Sequence, residues 1–124
     1  MTDVRRALGA AGEAAAVTEL ERRGYRILAR NVRTRMGELD VVARDGQTLC
    51  FVEIKARRST AFGFPQEAVT RQKQHHVARM AQWYLKAHRL TGVSARFDVV
   101  AVLLDPAGRP TQIDVIQNAF NVPG

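Results

Sequence analysis

The stretch GELDVVARDGQTLCFVEIKAR, residues 37–57, decides the reading of this chain. Two runs rich in Val, Leu, Ile and Phe, 38–43 and 49–56, flank Asp45-Gly46. Asp-Gly between such runs predicts a tight hairpin turn, because glycine tolerates the positive φ that the turn needs. Charge is what does not belong in an apolar hairpin, and Asp40, Glu53 and Lys55 interrupt it.

Alternation along a strand puts Glu53 and Lys55 on one face. With Asp45 and Gly46 as the loop, Arg44 faces Gln47 and Asp40 faces Phe51. Glu53 is then the diagonal neighbour of Asp40, roughly 7–8 Å away at Cα, and Glu38 falls opposite Glu53. A slip of one residue would send Asp40 to the other face, so the inference depends on register. Like charges facing each other across strands are destabilising, and half-buried carboxylates need a counter-charge. Lys55 offers one, and a divalent cation would supply the rest. A few oxygen ligands completed by water suit Mg²⁺ or Mn²⁺ better than zinc. The alternative is a solvated strand face with a Glu–Lys pair of little consequence.

The stretch from Gly37 to Asp40, followed by Phe51-Val52-Glu53-Ile54-Lys55, is similar to the PD-(D/E)xK nuclease superfamily. Gly12-Glu13-x-Ala15-Ala16, Gly24-Tyr25 and Arg30-Asn31-x-Arg33 extend the likeness. With those motifs and Arg57, residues 12–102 resemble the YraN-like family of small bacterial endonuclease-like proteins. The resemblance implies a restriction-endonuclease-like fold and Mg²⁺- or Mn²⁺-dependent phosphodiester hydrolysis leaving a 5′-phosphate. It implies Asp40 and Glu53 as metal ligands and Lys55 as a catalytic cation. Glu13, on the first helix, would be an auxiliary ligand or a holder of metal-bound water; its alternative is an ordinary surface glutamate.

A net charge of +7 and a pI near 10.7 are unusual for a globular chain. Of its 19 cationic side chains, all but Lys55, Lys73 and Lys86 are arginine, which suits bidentate phosphate contacts. Nucleic acid is the expected partner; an anionic membrane surface or a merely basic protein are the alternatives. Arg30, Arg33 and Arg35 before the acidic strand, Arg57 after it, and Lys73 in the second helix are the candidate phosphate contacts, against solvated side chains.

The 124 residues make one domain, 1–124. No apolar run reaches membrane-spanning length, so a cytoplasmic protein is expected. The single cysteine, Cys50, sits in an apolar strand and reads as an inert buried thiol. His75, His76 and His88 lack zinc-ligand spacing and partners.

Outside the hairpin, Val4, Leu8, Ala11, Ala15 and Leu20 predict a helix over 2–23, stopped by Gly24. A strand over 25–29 and a polar connection over 31–36 follow. Residues 58–65 read as a loop, with Phe62 and Phe64 on the core. A second helix runs from 66 or 70 to about 90, buries Val69, His76 or Val77, Met80, Tyr84 and Ala87, and ends at Gly92. Residues 96–104 form a buried strand in which Asp98 needs Arg96 or another arginine, and 111–117 form an edge strand. The class is α/β, a central mixed sheet flanked by helices in the order α-β-β-β-α-β-β.

The expected function is a metal-dependent endonuclease acting on DNA. It has no room for a sequence-reading domain, so selectivity for branched or single-stranded structure is expected. Junction resolvases of related fold are dimers, which makes a homodimer the assembly to test. The alternatives are a non-catalytic nucleic-acid-binding module and a structural partner of a DNA repair or replication protein.

Overall fold

The computed structural model describes residues 4–58 and 69–121, and the side chains from Gly9 onward. The expected loop with Phe62, Phe64 and Pro65 lies outside the described residues, as do the side chains of Val4 and Leu8. Seven elements follow the predicted order: α1 (Val4–Arg22), β1 (Arg26–Thr34), β2 (Gly37–Asp45), β3 (Thr48–Arg57), α2 (Arg71–Ala87), β4 (Ala95–Leu104) and β5 (Pro110–Ile116). The five strands form one sheet in the order β1-β2-β3-β4-β5. All neighbours are antiparallel except β3 and β4, which are parallel and joined by the crossover through α2. No helix among the described residues is long and apolar enough to cross a membrane.

The helices lie on opposite faces of the sheet and build two core layers. Ala16, Val17 and Leu20 of α1 pack with Val41, Val52, Val100 and Val102. Val77, Met80, Ala81 and Tyr84 of α2 pack with Leu39, Val42, Leu49 and Phe51. Small residues let α1 approach closely. A Cβ built on Gly12 would stand 2.6 Å from the Cβ of Ala56 in β3, so the helix backbone itself packs against that methyl.

Both helices end by the same device. Gly24 at φ +94° is followed by Tyr25, whose N–H donates to the carbonyl of Leu20 at 3.0 Å. At the end of α2 the left-handed position is Arg89 at φ +54°, and the Leu90 N–H reaches the Leu85 carbonyl at 2.8 Å. This bond satisfies a carbonyl that the last turn leaves unpaired. The helix therefore closes before Gly92, and Ala87, its last residue, is exposed rather than buried.

The central hairpin differs from its expected register by two residues. Arg44 faces Leu49 and Asp45 faces Thr48, leaving Gly46 and Gln47 as the loop. Gly46 occupies the first loop position at φ +60°, where a two-residue loop with glycine first needs it. Asp45 joins the ladder because its carboxylate takes a 2.6 Å bond from Nη2 of Arg96. A shift of two preserves which face each side chain takes.

Arg96 also donates to both oxygens of Asp98, at 3.0 and 3.1 Å, and to the hydroxyl of Tyr25 at 2.9 Å. Asp98 accepts further bonds from that hydroxyl and from the Asn118 N–H. Its carboxylate is 0% exposed and fully engaged, so this charge is structural. Beside it lies the buried Cys50, whose thiol is pushed up to about 12 by burial and then by the charge of Asp98.

β1 extends to Thr34 through residues expected to form a loop. Its position at the sheet edge explains this: a strand with one open side and an alternating exposure pattern needs few apolar residues. The remaining connection to β2 is the turn at Arg35 and Met36.

Candidate active site

The site grows from an interruption in the β1–β2 ladder. Arg30 pairs with Val41 and Val32 with Leu39, but Asn31 and Asp40 between them are unpaired. Asn31 adopts φ +52°, a left-handed conformation that asparagine tolerates better than most side chains. The kink resets side-chain alternation in both strands. Val41 faces α1 whereas Leu39 faces α2, although strict alternation would put them together.

Asp40 sits at this switch, one step beyond the last β2–β3 ladder pair, Val41 and Val52. There its Oδ2 accepts the backbone N–H of Ile54 at 2.9 Å. The carboxylate thus does for β3 what a ladder carbonyl would have done. It is half-buried and fixed against β3.

Glu53 follows on β3. Cys50, Val52, Ile54 and Ala56 belong to the α1 layer, so Glu53, Lys55 and Arg57 face the α2 side with Phe51. Glu53 is 1% exposed, and neither of its carboxylate oxygens has a hydrogen-bond partner among the described residues. Lys73, in the first turn of α2, places Nζ 3.3 Å from Oε1. The helix start is fixed by Thr70, whose hydroxyl accepts the Lys73 N–H at 3.1 Å. Burial and then the neighbouring Asp40 push the Glu53 carboxyl up to about 7, against the opposing pull of Lys73. A buried acid beside a second acid, with one ammonium between two carboxylates, could accept a cation by charge and by ligand type.

Lys55 is half-buried on the same face and takes part in no ion pair among the described residues. Arg57, also half-buried, continues that face toward the end of β3. Lys73 was expected to contact phosphate; in the structure its ammonium meets Glu53. Sequence spacing could not show this, because the contact bridges a crossover.

Other expected participants lie elsewhere. Glu38 pairs with Arg33, Nε to Oε2 at 3.4 Å, and not with Glu53. The Asn31 kink is the reason: with Leu39 on the α2 side, alternation turns Glu38 to the opposite face. Glu13 accepts 2.8 Å from Nδ2 of Asn31 and 3.4 Å from Nη2 of Arg30. Among the described residues no three His, Cys, Asp or Glu side chains are grouped to hold one ion, so Asp40 and Glu53 stand as a pair without Glu13. Arg30 and Arg33 reach carboxylates on α1 and β2 at 3.4 Å while staying exposed, and Arg35 is exposed in the turn. Asn31 is the residue that sequence reasoning passed over. An arginine-flanked asparagine carries no signal of positive φ by itself.

A pair of carboxylates fits Mg²⁺ or Mn²⁺, ions that retain several waters and accept one or two protein carboxylates plus substrate phosphate. The unpartnered oxygens of Glu53 are the observation behind that fit.

Residues 12–102 match the model of the family described as Uncharacterised protein family UPF0102. This is the span over which the motifs resemble the YraN-like proteins. The chain is similar to a UPF0102 protein of Trichlorobacter lovleyi, 50% identical over 117 residues covering 94% of this chain and 91% of that one. It is similar to one from Moorella thermoacetica, 48% identical across 97% of this chain and all of the relative. A third, from Syntrophus aciditrophicus, is 48% identical over 92% of this chain and 88% of its own length.

Proposed function

The chain belongs to the uncharacterised protein family UPF0102, and from its own site we propose that it is a metal-dependent endonuclease hydrolysing DNA phosphodiester bonds. The observation that carries this is Glu53, a buried carboxylate with no hydrogen-bond partner among the described residues, beside a second carboxylate, Asp40, and with only the Lys73 ammonium near it. The single ammonium of Lys73 does not balance two neighbouring carboxylates, and the uncompensated charge favours a bound cation.

Asp40 and Glu53 would hold Mg²⁺ or Mn²⁺. Bound there, the ion supplies Lewis-acid polarisation of the phosphate and a water of lowered pKa. Asp40 is oriented for this by the Ile54 N–H. Lys55, two residues from Glu53 on the same face, would aim its ammonium at the attacking water or at charge developing on the phosphate. Lys73 and Arg57 would neutralise the flanking backbone, and exposed arginines would hold it in register without reading bases. The net charge of +7 supports a polyanionic substrate. Selectivity for branched or single-stranded DNA is part of the proposal, as is a homodimer in which two sites make paired cuts.

The test is incubation of branched, duplex and single-stranded DNA with Mg²⁺ or Mn²⁺, comparing the native chain with Glu53→Gln and Lys55→Ala. Cleavage should fall at least 100-fold in both. Cleavage unchanged in both variants overturns the assignment. Salt-dependent binding without cleavage under any metal would make the protein a non-catalytic binding module. Sedimentation equilibrium that shows only monomer at high concentration removes the dimer.

A further inference from the structure

We propose that Asn31 and Glu13 form a positioning pair that sets where the Asp40 carboxylate points; the consequence for metal binding rests on the reading of Asp40 given above. Three observations converge on it. Beyond the bulge at Leu28, the ladder between β1 and β2 keeps one register from Ala29 to Thr34 but skips the pair Asn31 with Asp40. Asn31 is held at φ +52°, and its amide donates to Oε1 of Glu13 at 2.8 Å, fastening the kinked strand to α1. Asp40 sends Oδ2 to the Ile54 N–H rather than up or down from the sheet.

The physical link is the side-chain alternation. In a regular strand Asp40 would project from one face, and Leu39 and Val41 would share the other. The structure instead has Leu39 in the α2 layer and Val41 in the α1 layer. One residue must absorb that half-turn in each strand. In β1 it is Asn31, with Arg30 and Asn31 both reaching Glu13 on the α1 side. In β2 it is Asp40, whose carboxylate thereby reaches the Ile54 amide of the next strand. Glu13 thus reaches the site through Asn31 and Asp40, as a residue that fastens the kink.

The variants separate conformation from side chain. Glycine adopts the left-handed region without strain, so Asn31→Gly keeps the kink accessible and loses only the bond to Glu13. Asn31→Ala loses both, and Glu13→Ala leaves the kink without its anchor. Amide hydrogen exchange in the metal-free protein reads the result at Ile54, relative to Val52 on the same strand. A merely structural role would accelerate both amides together; the positioning role accelerates Ile54 selectively. The expected result is at least tenfold faster exchange at Ile54 than at Val52 in Asn31→Ala, a smaller selective change in Glu13→Ala, and the least in Asn31→Gly. Mn²⁺ affinity, followed by calorimetry, should weaken at least fivefold in Asn31→Ala. Parallel acceleration of Ile54 and Val52, or no change at Ile54 in Asn31→Ala, overturns the proposal. Selective exchange at Ile54 in a protein whose native form binds no Mn²⁺ would uphold the positioning pair and sink the metal reading instead.

Discussion

Lys73 Nζ stands 3.3 Å from Oε1 of Glu53, yet Glu53 has no hydrogen-bond partner among the described residues. The ammonium is therefore a neighbour rather than a fixed ligand, and it is itself about a third exposed. It occupies the position of a counter-ion. In the proposed function a dication at the same carboxylate would displace it or share with it, and the freed cation would then be placed for a substrate phosphate.

Replacing Lys73 with Met should separate these roles. Apparent Mn²⁺ affinity should rise about threefold to tenfold, because one competitor is gone, which corresponds to about 1 kcal/mol. Affinity for DNA should fall, with the salt slope reduced by about one. Calorimetry and a salt titration read the two effects. Weaker metal binding in Lys73→Met would make the lysine a structural partner instead.

Stability in the absence of metal should fall as pH rises from about 4.5 to about 7. The Glu53 carboxyl is raised by burial and by Asp40, from an ordinary 4.5 to about 7. Within that window the folded chain holds a proton that the unfolded chain has released, so rising pH favours unfolding. The stability contributed is complete below 4.5 and lost above 7. Urea unfolding at pH 5 and pH 8 should differ by on the order of 1–3 kcal/mol through this group. The difference should shrink in Glu53→Gln. An identical pH dependence in that variant would mean that other groups carry it.

Asp40→Asn and Asp40→Ala should part company. Asparagine keeps an oxygen for the Ile54 N–H, so stability should change by less than about 1 kcal/mol while metal affinity collapses. Alanine orphans a backbone donor, which costs about 1–3 kcal/mol. Thermal melts without metal and Mn²⁺ titrations distinguish the two. Equal destabilisation by both substitutions would show that the charge, and not the accepted bond, supports the fold.

Arg96→Met should be the most destabilising of the surface-accessible arginine changes. It leaves Asp98, which is 0% exposed, without its cation, a loss of about 3–5 kcal/mol for a broken buried pair. Arg33→Met, whose 3.4 Å contact to Glu38 is largely solvated, should cost less than about 0.5 kcal/mol. Denaturant midpoints of the two variants check the contrast. A small loss for Arg96→Met would show that Tyr25 and the Asn118 N–H suffice to hold the acid.

The sequence made the element order legible because each strand carries its own apolar run and each helix its own stop. Asp40 and Glu53 were brought together despite a wrong loop assignment, since an error of two residues leaves faces unchanged. Glu38 was misplaced for the opposite reason. One left-handed residue, Asn31, shifts alternation by a single step, and nothing in the letters around it marks the shift. The end of β1 was invisible as strand because an edge strand with polar residues looks like a loop. Asp98 was read correctly as needing an arginine, because a charge inside an uninterrupted apolar run has few other ways to exist.

Gly12 brings a last consequence. The α1 backbone rests there against the Ala56 methyl, so the gap between α1 and β3 has no room for a second one. Adding one methyl would act as a wedge under the strand, one residue from Lys55 and three from Glu53, without entering the cleft itself. The positions of Glu53 and Lys55 are thus set in part from behind, through the thickness of the sheet.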